Sequence, residues 1–69
     1  MIKVALLTIE QKDLLIGKEF NTDSYFNPIQ DADDNWIISQ IEINLCNNEE
    51  FFWVKDLPLI EYNPKIIEI

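Results

Sequence analysis

Oxygen-bearing side chains recur at a regular spacing in the middle of this chain, between Asp31 and Glu42. Asp33, Asn35 and Ser39 stand two, four and eight residues after Asp31, and Glu42 closes the segment. Carboxylate and amide oxygens are hard ligands of the kind that calcium prefers in proteins. The first chemistry that the sequence suggests is therefore the binding of a divalent cation.

The spacing over residues 31–42 resembles that of the EF-hand calcium-binding loop. That loop takes side-chain ligands from positions 1, 3, 5 and 12, a backbone carbonyl from position 7 and often a water-bridging residue at position 9. The resemblance implies the ligand set Asp31, Asp33, Asn35, Ile37, Ser39 and Glu42. Trp36 departs from the pattern, because the loop needs glycine there for a sharp turn. Pro28 also departs from it, because it resists the helix that should lead into the loop.

A second interpretation of the same segment needs no metal. Asp and Asn are typical turn residues, so residues 31–35 can reverse the chain between two strands of a β-hairpin. Ser39 and Glu42 have the spacing of a capping box that starts a helix. We favour this interpretation because it accounts for Trp36 as a strand residue packed on the core. Calcium is then the one cofactor that remains to be considered.

The composition excludes several classes of catalytic site. The 69-residue chain has no histidine and no arginine, and Gly17 is its only glycine. A Ser–His or Cys–His nucleophile and a glycine-rich nucleotide loop therefore cannot be built. Cys46 is the single cysteine, which rules out an internal disulfide and suggests a small apolar core residue. We expect that the protein is not an enzyme.

The net charge of −8 narrows the choice of partners. Such a field repels nucleic acid and anionic membranes, so we expect no direct binding to either. No apolar run approaches the roughly 20 residues of a membrane span, and no signal peptide is recognisable. We therefore expect a cytoplasmic protein. The acids are scattered along the chain, which is typical of a solubilising surface, and attraction to a basic partner is the alternative.

Hydrophobic patterning predicts one small α+β domain over residues 1–69. The domain should contain a three- to four-stranded, mostly antiparallel sheet with one or two short helices on one face. The predicted strands span residues 2–7, 25–27, 36–38 and 59–62. Pro28 cannot donate a ladder hydrogen bond, so the second strand should lie at an edge or end in a bulge.

The helices are predicted from capping residues. Thr8 and Gln11 form one capping box, which starts a helix over residues 9–16 that ends at Gly17, and a second helix follows Ser39 over residues 40–45. Asn48 can cap a short helix over residues 49–54, which we favour, whereas the aromatic and β-branched residues of the same segment are typical of a strand. The residues expected to face inward are Leu14, Leu15 and Ile16 in the first helix and Ile41 and Leu45 in the second.

Two apolar groups are candidates for contact with another protein. The first is Phe51, Phe52 and Trp53, of which we expect two to be buried and the third to be a contact residue. The second comprises the isoleucines near the end of the sequence, which are Ile66, Ile67 and Ile69. These either add a strand to the sheet or dock on another chain, including a second copy of this one.

Residues 25–31, 35–39 and 53–57 resemble segments of short uncharacterised proteins encoded by phages and prophages of Bacteroidetes bacteria. The resemblance implies a viral or mobile-element setting, with the protein in the host cytoplasm or the virion, and it implies no activity. The leading hypothesis is a non-enzymatic protein-interaction module, such as a virion accessory or structural component. The alternatives are an acidic inhibitor of a host nucleic-acid-binding or defence protein and an EF-hand-like calcium-binding module.

Overall fold

A computed structural model describes residues 2–64 as an α+β fold, as the sequence predicts. The elements are β1 (Lys3–Leu7), α1 (Ile9–Leu15), β2 (Glu19–Asn21), β3 (Ser24–Tyr25), β4 (Ile29–Gln30), β5 (Trp36–Ser39), α2 (Gln40–Leu45), a 3₁₀ helix (Glu49–Asp56) and β6 (Leu59–Glu61). Four strands form an antiparallel sheet in the order β4-β5-β1-β6, and β2 and β3 form a separate hairpin. Within the described range, no helix is long and apolar enough to cross a membrane.

Helix α1 begins and ends as its capping residues predict. The Thr8 hydroxyl accepts a hydrogen bond from the backbone N–H of Gln11, and the Gln11 side chain accepts one from the N–H of Thr8. Gly17 follows the helix with φ of +77°, the left-handed conformation that glycine adopts at little cost. The prediction that Leu14 and Ile16 face inward was wrong, because both are exposed. Successive helical residues diverge by about 100°, so this short helix buries Leu15 alone.

Helix α2 also begins at its predicted capping box, formed by Ser39 and Glu42. The prediction that Ile41 and Leu45 share the buried face was wrong, because both side chains are exposed. Ile43 is the buried residue of this helix. Residues two apart on a helix point to nearly opposite sides, so the burial of Ile43 turns the other two towards solvent.

The predicted hairpin around residues 31–35 is confirmed, but its first strand lies further along the chain than predicted. Residues 24–25 pair with β2, and the strand that pairs with β5 begins only after Pro28. Phe26 leaves both strands and enters the core instead. Trp36 packs against the core as predicted, with the Nζ of Lys12 4.6 Å from its ring centroid.

The main core lies between one face of the sheet and the helices. Its buried members are Ala5, Leu7, Leu15, Phe20, Phe26, Ile38, Ile43, Cys46, Phe51 and Val54. Phe26 joins the small hairpin to the 3₁₀ helix, because its ring centroid lies 5.3 Å from that of Phe20 and 5.7 Å from that of Phe51. Cys46 is buried, as expected of a small apolar residue. Val4 and Ile37 are buried too, but they do not belong to this core.

Candidate functional site

The sheet has a second face to which every strand contributes at least one aliphatic residue. The register places Leu6 opposite Ile37, Ile29 opposite Ile37 and Val4 opposite Ile60, so these side chains share one side. Ala5 and Ile38 alternate with them and point into the main core. A sheet face that carries aliphatic residues on all four strands, with Ser39 opposite Val4 at the end of β5, is a candidate contact surface.

A groove of about 270 Å³ lies on this second face. Its lining residues are Ile2, Val4, Asn27, Ile29, Ile37, Ile38, Ser39, Glu42 and Tyr62. Val4 and Ile37 are 4% and 1% exposed, whereas Ile2 and Ile29 are 68% and 41% exposed. The groove therefore has a buried aliphatic floor and an accessible aliphatic rim.

The polar lining residues hold one carboxylate in a fixed position. One oxygen of Glu42 accepts a hydrogen bond from the backbone N–H of Asn27 at 2.8 Å. The other oxygen accepts hydrogen bonds from the backbone N–H of Ser39 at 3.0 Å and from its hydroxyl at 3.3 Å. Of the described residues that line the groove, Glu42 is the one that carries a charge.

The turn between β4 and β5 is built around the side chain of Asp31, which is only 1% exposed. One of its carboxylate oxygens accepts hydrogen bonds from the backbone N–H groups of Asp33 and Asn35, at 2.9 and 3.0 Å. The N–H of Asp31 donates to the carbonyl of Asn35, which closes the turn. Asp34 takes the left-handed conformation, with φ of +64°.

The structure distributes the EF-hand-like positions over three elements. Asp31, Asp33 and Asn35 lie in the turn, whereas Ile37 is in β5, Ser39 ends that strand and Glu42 is in α2. The Asp31 and Glu42 carboxylates accept hydrogen bonds from the protein's own N–H groups. Across residues 2–64, no group of three or more Cys, Asp or Glu side chains is arranged to hold a metal ion. The arrangement is thus that of a hairpin followed by a capping box.

Hydrogen bonds from the segment after β6 connect the rim of the groove to this turn. The N–H of Tyr62 donates to the carbonyl of Ile2 at 2.8 Å. The carbonyl of Asn63 accepts from the N–H of Ala32, and the Asn63 amide donates to the Asp33 carboxylate at 3.2 Å. These contacts join residues that are about thirty or about sixty positions apart, and no local sequence pattern indicates them. The alternation of Val4 with Ala5 and of Ile37 with Ile38 was the available signal for the second face.

The three predicted aromatic contact residues, Phe51, Phe52 and Trp53, do not line the groove. Phe51 is 5% exposed in the main core, and Trp53 is half-buried against it. Phe52 is 42% exposed, and the Nζ of Lys55 lies 5.2 Å from its ring centroid. The three isoleucines Ile66, Ile67 and Ile69 lie outside the described residues. Phe52 is therefore the most exposed of the three predicted aromatic contact residues.

A shallow polar depression lies beside the small hairpin. Its lining residues are Glu19, Asn21, Thr22, Asp23, Asn47, Asn48 and Glu49. The asparagines join the hairpin to the segment after α2, since the Asn48 amide donates to the carbonyl of Glu19 and the Asn21 amide to that of Leu45. Within the part of the chain that the structure describes, no lysine lines this depression beside the three acids. The one ion pair with both members in residues 2–64 is Lys12 with Asp13, at 2.7 Å.

Comparison of the chain with protein-family models, with curated proteins and with solved structures finds no match.

Proposed function

We propose that this protein is a non-enzymatic interaction module that binds another protein through the groove on the second face of its sheet. The observation that carries the proposal is the aliphatic floor of Val4 and Ile37 beneath the exposed rim of Ile2 and Ile29. Apolar surface with a rim that carries polar groups is typical of contact sites for other proteins. The resemblance to phage proteins supports a virion accessory or structural component as the setting.

A protein partner fits the groove better than a cofactor or nucleic acid does. Sites for small molecules usually enclose about 300–1,000 Å³, whereas this groove is smaller and is suited to a side chain. The net charge of −8 disfavours phosphate-rich ligands, and no arginine is present to clamp one. The absence of histidine and the occupied carboxylates of Asp31 and Glu42 support a binding role over a catalytic one.

The test compares two isoleucines that are both exposed and lie on different surfaces. Ile29→Lys places a charge on the groove rim, and Ile41→Lys places the same charge on the outer side of α2. Wild type and both variants serve as baits in lysate of the cells that encode the protein. The captured protein is then purified and titrated against each bait.

We expect wild type and Ile41→Lys to bind the same protein, and Ile29→Lys to bind it at least tenfold more weakly. Burying an isoleucine contributes about 1.5–3 kcal/mol, and a buried lysine would add a desolvation cost. Equal binding by all three baits would place the contact elsewhere. Failure of wild type to retain any protein above an unrelated acidic control protein would contradict the interaction role.

The polar depression favours a second candidate function, an acidic inhibitor of a host nucleic-acid-binding or defence protein. Its acids Glu19, Asp23 and Glu49 could replace phosphates on a basic surface. The variant that combines Glu19→Gln, Asp23→Asn and Glu49→Gln would then lose the captured protein while Ile29→Lys keeps it. Binding should also weaken steeply as salt rises. The opposite pattern, with loss only for Ile29→Lys, would exclude this candidate.

A further inference from the structure

We infer that the groove recognises a partner segment in which a large apolar side chain stands next to a lysine. The inference rests on the proposed function, because it specifies the partner chemistry of the same groove. It joins two observations on one surface: the aliphatic floor and rim, and the fixed carboxylate of Glu42 among the lining residues.

The apolar part of the groove sets the first requirement. Val4 and Ile37 form a floor that is already buried, and Ile29 supplies an accessible wall on the edge strand β4. A volume of about 270 Å³ accommodates one large aliphatic or aromatic side chain of a partner. Anchors of this kind dominate binding when they enter a concave apolar site.

The carboxylate of Glu42 sets the second requirement. An ionised carboxylate offers about four lone-pair sites, and three hydrogen bonds from Asn27 and Ser39 already occupy this one. All three donors are neutral, so the negative charge is held in place, and among residues 2–64 no cation lines the groove beside it. A basic group that enters the groove can therefore pair with the Glu42 carboxylate without any change in the position of that side chain.

The remaining lone pair distinguishes between the two basic residues. Arginine binds carboxylates best through two parallel hydrogen bonds, which require two accessible oxygens. Both lone pairs of one Glu42 oxygen accept hydrogen bonds from Ser39. The other oxygen accepts one hydrogen bond, from the N–H of Asn27, and keeps one lone pair for a partner. A lysine ammonium acts as a point charge and needs only one contact. Charge complementarity also disfavours a second copy of this chain, because each copy carries a charge of −8.

Glu42→Gln is a conservative variant for the charge. Helix α1 already carries Gln11 at the equivalent position of its own capping box, where the amide oxygen accepts from the N–H of Thr8. Glutamine can therefore keep the hydrogen bond to the N–H of Ser39 while removing the negative charge, and its amide nitrogen then takes the place of the oxygen that accepts from the N–H of Asn27. The melting temperature of the variant checks that the domain stays folded.

The experiment uses a displayed library of random seven-residue peptides, panned against the wild-type protein and an unrelated acidic protein. We expect the wild-type pool to be enriched in peptides with Leu, Ile, Met or Phe within two positions of lysine. The best peptide should bind at least tenfold more weakly to Ile29→Lys and as well to Ile41→Lys as to wild type. Its affinity for Glu42→Gln should fall roughly three- to fivefold, as expected for a partly exposed ion pair.

Matched peptides separate the charge from the hydrogen bond. Replacing the peptide lysine by glutamine should weaken binding to wild type and leave binding to Glu42→Gln unchanged. Replacing it by arginine should bring no gain in affinity. The difference between wild type and Glu42→Gln should shrink in 0.5 M salt, where charges are screened within about 4 Å.

The contrary results distinguish a failure of this inference from a failure of the proposed function. Selected peptides that need Ile29 but contain no lysine, or that bind Glu42→Gln equally, overturn this inference and leave the proposed function standing. Peptides that bind Ile29→Lys as well as wild type overturn both. The absence of any enrichment over the acidic control overturns the inference. A wild-type dimer that Ile29→Lys dissociates would show that a second copy occupies the groove, and this also overturns the inference.

Discussion

Asp31 shows how one buried carboxylate can shape a turn by accepting hydrogen bonds from the backbone. Its side chain replaces water as the acceptor for the N–H groups of Asp33 and Asn35. The amide of Asn35 lies 3.5 Å from the second carboxylate oxygen. A turn of this kind leaves few donors unsatisfied, so the acid can be buried where an apolar residue would leave two N–H groups without an acceptor.

We expect Asp31→Ala to lower the free energy of unfolding by about 2 kcal/mol, because two N–H groups lose a charged acceptor. Asp31→Asn should cost less, because its amide oxygen can still accept from the same groups. Urea denaturation followed by tryptophan fluorescence measures both variants. Equal losses of unfolding free energy for the two variants would show that the negative charge is required and that a neutral acceptor oxygen cannot replace it.

Calcium provides a separate check on the role of the same residue. If Asp31 serves only as a turn acceptor, millimolar calcium should leave the melting temperature of the wild type unchanged. A rise that is present in the wild type and lost in Asp31→Asn would restore the EF-hand-like interpretation. Magnesium at the same ionic strength is the control for non-specific screening of the acids.

At the level of elements, the 3₁₀ helix separates two neighbouring phenylalanines. Asn48 caps it by accepting from the N–H of Glu50, and Phe51 departs from helical geometry with φ of −116° and ψ of 17°. Phe51 enters the core, where its ring meets that of Phe26 edge-on. Phe52 points outward beneath Lys55. Identical residues side by side therefore have different roles.

Phe51→Ala should cost about 3–5 kcal/mol of unfolding free energy, because it leaves a cavity in the core. Phe52→Ala should change stability by less than about 1 kcal/mol, because its ring is partly solvated. Thermal unfolding followed by circular dichroism compares the two. For a domain of this size the first variant can be unfolded at room temperature, in which case Phe51→Leu measures a smaller loss. A larger loss for Phe52→Ala would contradict the assigned burial.

The sequence predicts the starts of the elements better than the faces that they bury. Both capping boxes are local, since their partners lie three residues apart, and both form as expected. The outward direction of Ile41 and the position of β4 depend on how distant segments pack. Pro28 carried part of that information, because it prevented the preceding residues from continuing as a paired strand.

The whole molecule carries a large unbalanced charge on a small surface. The sequence contains thirteen acidic residues and five lysines. Lys12 with Asp13 is the one ion pair formed within residues 2–64. Self-repulsion of this kind lowers the stability of the folded state.

The fold class was predictable from the hydrophobic pattern alone. The groove was not, because it depends on which strands become neighbours in the sheet, and no local sequence pattern indicates that pairing.

Raising sodium chloride from about 20 mM to 0.5 M should increase the melting temperature, because salt screens the repulsion among the acids. Differential scanning calorimetry measures the change. The double variant with Glu19→Gln and Asp23→Asn, two acids that share the polar depression, should start from a higher melting temperature in low salt and gain less from added salt. A melting temperature that falls with salt would show that attractive pairs outweigh repulsion.

The place of β1 in the sheet has a consequence for the order of folding. This strand precedes all the others in sequence, yet its two neighbours are β5 and β6, which follow it at long range. During synthesis, β1 therefore leaves the ribosome with both edges unpaired, and its edges stay unpaired until β5 and β6 have been synthesised. Such non-local pairing slows folding and leaves strand edges open to aggregation. Newly made chains should thus depend on chaperones more than the size of the domain would suggest.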